Sequence, residues 1–185
     1  AHGDRIDEYG SDIAGLRNAF VAGKDPFAAF VDDGKAVIGE CIKRGLARPG
    51  RIAVAGTSRG GYMALRLLAG DERIAAGAGF APVTDWRELR EFDADKDRDD
   101  VGNLRLANFV EGMRGKHIYI AIGKTDTRVG TRQCQVFVET LINANAGGAS
   151  GLVEFHLTDD VGHTCSDPWY EKGRAFLLNS TVAPP

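Results

Sequence analysis

The sequence predicts an α/β fold, a mostly parallel sheet with helices on both faces. Two patterns carry that reading. Four short apolar runs, at 51–56, 74–81, 117–122 and 153–157, read as buried strands, and segments with helical spacing of apolar residues lie between and around them. Strands that alternate with helices are joined by crossovers, and crossovers of that kind connect parallel strands covered on both faces. A length of 185 residues suits one α/β domain over 1–185 with a proper core. A share of 43% hydrophobic and 26% charged residues is ordinary for a globular chain.

Residues 1–24 are polar and glycine-punctuated, with no convincing strand. A helix begins at Asp25-Pro26, because proline's fixed φ suits a first helical turn, where its missing N–H removes no bond. Phe27, Phe30, Val31, Val37, Ile38, Cys41 and Ile42 then recur at helical spacing as far as Gly45. The strand at 51–56 follows, then a glycine-rich turn and a helix to about Ala69. Residues 74–81 form a second strand closed by Pro82. The charged stretch 85–106 resists assignment, although helical turns fit 86–92 and 104–113. A third strand covers 117–122, a helix covers 130–145 and stops at Gly147-Gly148, a fourth strand covers 153–157, and a last helix covers 168–179.

The first strand raises a difficulty. Ile52-Ala53-Val54-Ala55 is apolar on both faces, like a central strand, and should have a hydrogen-bonded neighbour on each side. The second strand supplies one neighbour and nothing upstream supplies the other. A bare apolar edge invites aggregation. The expectation is therefore that this is the C-terminal part of a domain whose early strands are missing.

Chemistry enters at Gly56-Thr57-Ser58-Arg59-Gly60, between the first strand and the next helix. A serine hydroxyl is a poor nucleophile until a base takes its proton and donors stabilise the oxyanion that forms. A sharp strand-to-helix turn lifts such a serine out of the sheet, and flanking glycines leave room for it. In open parallel sheets functional groups gather beyond the carboxyl ends of strands. Asp126 lies just past the third strand and His163 just past the fourth, so the chain order is Ser58, Asp126, His163. Rivals are Asp159 and Asp160 for the acid, and His2, His117 and His156 for the base. Asp126 could instead cap the helix that begins near Gly130.

Gly56-Thr57-Ser58-Arg59-Gly60-Gly61, Ile122-Gly123-Lys124-Thr125-Asp126-Thr127-Arg128-Val129 and Gly162-His163-Thr164 together resemble an α/β-hydrolase of the prolyl-oligopeptidase-like or dienelactone-hydrolase-like branch. The likeness runs from about residue 25 to 180. It implies Ser58 as nucleophile, His163 as base, Asp126 as orienting acid and the Arg59 backbone N–H as one oxyanion donor. The family's second donor comes from a loop after an earlier strand, which is expected to lie upstream of these residues. Ala1-His2-Gly3-Asp4-Arg5 is similar to the H-G loop after the fourth strand of these proteins. His2-Gly3 as the oxyanion loop itself would require a strand between residues 5 and 24.

The expected reaction is two-step acyl transfer on carboxylic esters of small or medium acyl groups, with a small-molecule ester as substrate. The alternative is a peptidase catalytic domain of the prolyl-oligopeptidase kind; a hydrolase fold that only binds is a third reading. The short 82–113 segment suggests an open site, with Trp86 and Phe92 either lining it or buried in the core. The mechanism needs no metal and no organic cofactor, and it should fail below roughly pH 6–7, where an ordinary histidine takes up a proton. The upstream part of the same domain is the one macromolecular partner expected. A net charge of -3 with no Lys/Arg stripe argues against nucleic acid, and no apolar run reaches the ~20 residues of a membrane span. Cys41, Cys134 and Cys165 have no metal-ligand spacing. The aspartates at 93–100 suggest a calcium loop, but glycine and glutamate are missing where such a loop needs them, so a solvated turn is expected.

Overall fold

The computed structural model describes residues 7–146 and 151–182. His2-Gly3 and Gly147-Gly148 lie outside those residues. Strands β1 (Ile52–Thr57), β2 (Ile74–Phe80), β3 (His117–Gly123) and β4 (Val153–Thr158) form one parallel sheet in the order β1-β2-β3-β4. The helices are α1 (Asp12–Val21), α2 (Pro26–Lys43), α3 (Arg59–Gly70), α4 (Asp99–Asn103), α5 (Thr131–Asn145) and α6 (Asp167–Thr181). Short 3-10 turns at Trp86–Glu88, Arg90–Phe92 and Leu106–Met113 fill the long β2–β3 connection.

The sheet's two faces have different partners. Ile118, Ile120 and Ile122 of β3 point into the main core with Leu65 and Leu68 of α3, Phe27 and Val31 of α2, and Phe137 and Leu141 of α5. Ala78, Phe80, Tyr119 and Ala121 point the other way, where Phe176 of α6 covers them. This period-2 division, two buried faces on the middle strands, is what the continuous apolar runs predicted.

α2 starts where proline placed it. The Asp25 carboxylate accepts the N–H groups of Phe27 (3.1 Å) and Ala28 (2.9 Å), donors that a helix start otherwise leaves unsatisfied. Asp25→Ala should therefore lower stability by about 1 kcal/mol in urea denaturation, whereas Asp25→Asn should recover most of that loss.

Two features differ from the sequence reading, and a third settles an alternative that it left open. The polar N-terminal stretch contains α1, whose Leu16 and Ala19 are buried and whose Ile13 packs against the core; no strand occurs among described residues 7–24, only the isolated bridge between Asp7 and Gly10. Trp86 and Phe92 do not line a cavity. They are fully buried, Trp86 meeting Tyr62 edge-to-face (5.0 Å between ring centroids) and packing at a tilt against Phe27 (4.8 Å) and Phe92 (5.5 Å). Asp95 is not solvated either: it is 7% exposed and receives Arg17 Nε at 2.6 Å, which ties the β2–β3 connection to α1.

β1 pairs with β2 alone. Ala53, Ala55 and Thr57 are exposed, and the second edge of β1 is unpaired among the described residues. No described helix is long and apolar enough to cross a membrane.

Candidate active site

Ser58 follows β1 with φ 54° and ψ -120°, a conformation that L-residues other than glycine rarely adopt. The surrounding backbone holds it there. Its N–H donates to Phe80 O (2.9 Å), and its carbonyl accepts Val83 N–H (3.1 Å) and Tyr62 N–H (3.2 Å). The turn closes only because two neighbours lack side chains: a Cβ on Gly56 would lie 2.2 Å from Gly60 O, and one on Gly61 would lie 2.9 Å from Pro82 Cβ.

His163 Nε2 lies 2.8 Å from Ser58 Oγ, and His163 Nδ1 lies 2.8 Å from Asp126 Oδ2. A carboxylate can only accept, so the proton belongs on Nδ1 and Nε2 is left free to accept the serine proton. Asp126 is 2% exposed, and its other oxygen accepts the N–H groups of Arg128 (2.9 Å) and Val129 (3.2 Å). Those donors replace water and stabilise the buried charge. Gly130, not Asp126, stands at the N-cap of α5. Gly123 allows the acid and base loops to meet, because a Cβ there would lie 2.8 Å from Asp160 O and 3.2 Å from Gly162 O.

The rival residues lie elsewhere. Asp159 is exposed and pairs with Lys124 (2.7 Å). Asp160 accepts Ser166 N–H (3.0 Å) and Thr158 Oγ1–H (3.1 Å), bonds to the charged form that hold its carboxyl below the ordinary range and brace the loop carrying His163. His117 opens β3 at the far end of the sheet, while His156 stacks between Tyr119 (5.0 Å) and Trp169 (5.3 Å). Burial pushes the Cys165 thiol up to about 11, with Asp160 adding to the effect, so it stays protonated at neutral pH despite its proximity to His163.

Ser58, Arg59 and Gly60 border an open cleft of about 960 Å³ that runs along β1 and is also lined by Glu91 and Arg128. The Arg59 N–H begins α3 and has no acceptor among the described residues, so it and the helix dipole are available to an anion. This geometry can carry a proton from a hydroxyl to an imidazole while one donor receives the oxyanion. A second donor is not evident among the described residues. No group of three or more His, Cys, Asp or Glu among them is placed to hold a metal.

Residues 6–178 match the prolyl oligopeptidase family. The chain belongs to the prolyl oligopeptidase family. That family consists of serine hydrolases, and its solved relatives show the α/β-hydrolase fold. Dipeptidyl peptidase 4 of Porphyromonas gingivalis superposes with a TM-score of 0.70 at 21% identity, over 84% of this chain and 23% of that one. A puromycin-hydrolyzing peptidase of Mycobacterium tuberculosis gives 0.62 at 15% identity, over 82% and 24%. The acylaminoacyl peptidase of Pyrococcus horikoshii gives 0.64 at 15% identity, over 80% and 26%. The chain thus spans about a quarter of the length of these family structures.

Proposed function

We propose that the chain carries the catalytic residues of a serine peptidase. The observation that carries this reading is the continuous relay from Ser58 Oγ through His163 to Asp126, with both links at 2.8 Å. Ser58 Oγ attacks the acyl carbonyl as His163 Nε2 takes its proton, and the Arg59 N–H receives the oxyanion. His163 then gives that proton to the departing amine, and water repeats the sequence to release the acid. Asp126 fixes the imidazole tautomer and stabilises its charged form.

Family membership moves the favoured bond from ester to amide. Dipeptidyl peptidase 4, the puromycin-hydrolyzing peptidase and the acylaminoacyl peptidase are all named as peptidases, and this supports a peptide bond as the substrate here. Carboxylic esters remain the second reading, because the same acyl transfer releases an alcohol as readily as an amine. The free edge of β1 borders the same cleft, and we infer that a further strand of the same domain docks there and brings the second oxyanion donor. Removing one such donor costs about 3–4 kcal/mol of transition-state stabilisation in other serine hydrolases.

A fluorophosphonate probe tests the nucleophile: labelling confined to Ser58 is expected, and its absence would overturn both enzyme readings. Short acylated peptides are then compared with alkyl esters of the same acyl groups. Measurable peptide cleavage is expected; ester turnover with no cleavage of any peptide would return the ester reading to first place.

A further inference from the structure

The triplet Asp-x-Arg occurs three times, at Asp71-Glu72-Arg73, Asp85-Trp86-Arg87 and Asp126-Thr127-Arg128. All three share a local turn in which the arginine N–H donates to aspartate Oδ1, at 3.0, 3.1 and 2.9 Å respectively. In the first two the guanidinium folds back onto the same carboxylate. Arg73 places Nε 2.8 Å from Asp71 Oδ1 and Nη2 2.5 Å from Oδ2, and Arg87 places Nε 2.9 Å from Asp85 Oδ1 and Nη2 2.5 Å from Oδ2. The fork fills both carboxylate oxygens.

Arg128 breaks the pattern. Its Nη2 donates instead to Glu91 Oε1 at 2.7 Å, across the cleft wall, and Asp126 Oδ2 is left for His163. Glu91 sits in the 3-10 turn Arg90–Phe92, next to the turn Trp86–Glu88, whose Glu88 accepts Gln133 Nε2 at 2.7 Å. Two side-chain bonds therefore hold this segment against the loop and helix that follow Asp126. Burial works against the charge on Glu91, but the bond from Arg128, a backbone hydrogen bond and the positive charges of Arg128 and Arg90 together outweigh it and hold the carboxyl below its ordinary value. Glu91 is thus an anion that competes for the guanidinium.

We propose that Glu91 is a positioning residue: it draws Arg128 away from the carboxylate that the Asp-x-Arg turn would otherwise give it, and so keeps Asp126 Oδ2 open to His163. Without Glu91 the local turn already places the Arg128 backbone on Asp126, and the guanidinium has the same route back that Arg73 and Arg87 take. A carboxylate with both oxygens filled by a guanidinium neither orients the imidazole nor stabilises its positive form. The inference rests on the relay reading of Ser58, His163 and Asp126.

Two readouts test it: the downfield proton NMR signal of His163 Nδ1–H in its bond to Asp126, and the rate of fluorophosphonate labelling of Ser58. In Glu91→Ala the signal should vanish and labelling should slow by about 10²-fold or more, approaching the loss seen when a triad aspartate is disabled. Glu91→Ala combined with Arg128→Ala should restore the signal and bring labelling back to within about tenfold of the unsubstituted protein, because no guanidinium remains to capture Asp126. A merely structural Glu91 would show no such rescue. Glu91→Gln, which keeps the volume and one acceptor, should show the same rescue after a smaller, roughly tenfold loss, and it replaces the alanine variant if that variant does not fold. Persistence of the signal and rate in the single variants, or a double variant no better than the single, would overturn the proposal. Failure of the unsubstituted protein to label at Ser58 would instead overturn the peptidase reading, and the NMR arm would still decide the role of Glu91.

Discussion

Asp126→Asn should slow acylation of Ser58 by about 10⁴-fold without unfolding the chain, on the precedent of triads whose aspartate is replaced by its amide. The structure explains why the amide cannot adapt. Arg128 N–H and Val129 N–H both point at Oδ1, so the amide oxygen must occupy that position and the NH₂ must face His163. A donor facing Nδ1 forces the ring proton onto Nε2. Nε2 then has no lone pair for the Ser58 proton, although the distances barely change. The measurement is the second-order rate of inactivation by a fluorophosphonate, with the urea midpoint taken alongside as a control. A loss smaller than tenfold would mean that Asp126 does not act on His163.

The second large effect concerns stability. Gly56→Ala should destabilise the protein by about 5 kcal/mol or prevent folding, placing it among the exceptional single substitutions. The new Cβ would lie 2.2 Å from Gly60 O and 2.3 Å from Gly60 C, both backbone atoms of a turn fixed on each side by β1 and α3. No rotamer change relieves that contact. Gly60→Ala is the matched control, because its Cβ would meet nothing within 4 Å and it lies in the first turn of α3. There alanine should be neutral or stabilising by up to about 1 kcal/mol. Denaturant titration of both variants decides the matter, and similar midpoints would show that the elbow can relax.

The relay was legible in the sequence because each of its parts is announced locally. A buried strand ends, a glycine-rich turn follows, and the chemistry-bearing residue stands just beyond the strand's carboxyl end. Ser58, Asp126 and His163 each meet that description, and parallel alignment of the strands does the rest. α1 escaped because Gly10, Gly15 and Gly23 break its outline. Gly15 is there because a Cβ would lie 2.5 Å from Gly10 O, a close approach that no periodicity reveals. Asp95 and Glu91 escaped for a different reason. Their partners, Arg17 and Arg128, lie 78 and 37 residues away, so their charges look solvated until the chain is folded. Trp86 and Phe92 stood between two readings that only packing separates, and contact of Trp86 with Phe27 and Tyr62, and of Phe92 with Trp86, selects the core.

The anchoring of Ser58 on both sides of its α-carbon has a consequence for its reactivity. With the N–H held by Phe80 and the carbonyl by Val83 and Tyr62, the one torsion left to aim the Ser58 oxygen is rotation about its Cα–Cβ bond. Choosing one staggered well from three costs about 0.6 kcal/mol, a small sum beside the entropy of assembling free reactants. Folding has already met nearly all the cost of aiming the oxygen, and a substrate that reaches the cleft needs only to wait for a single bond to turn.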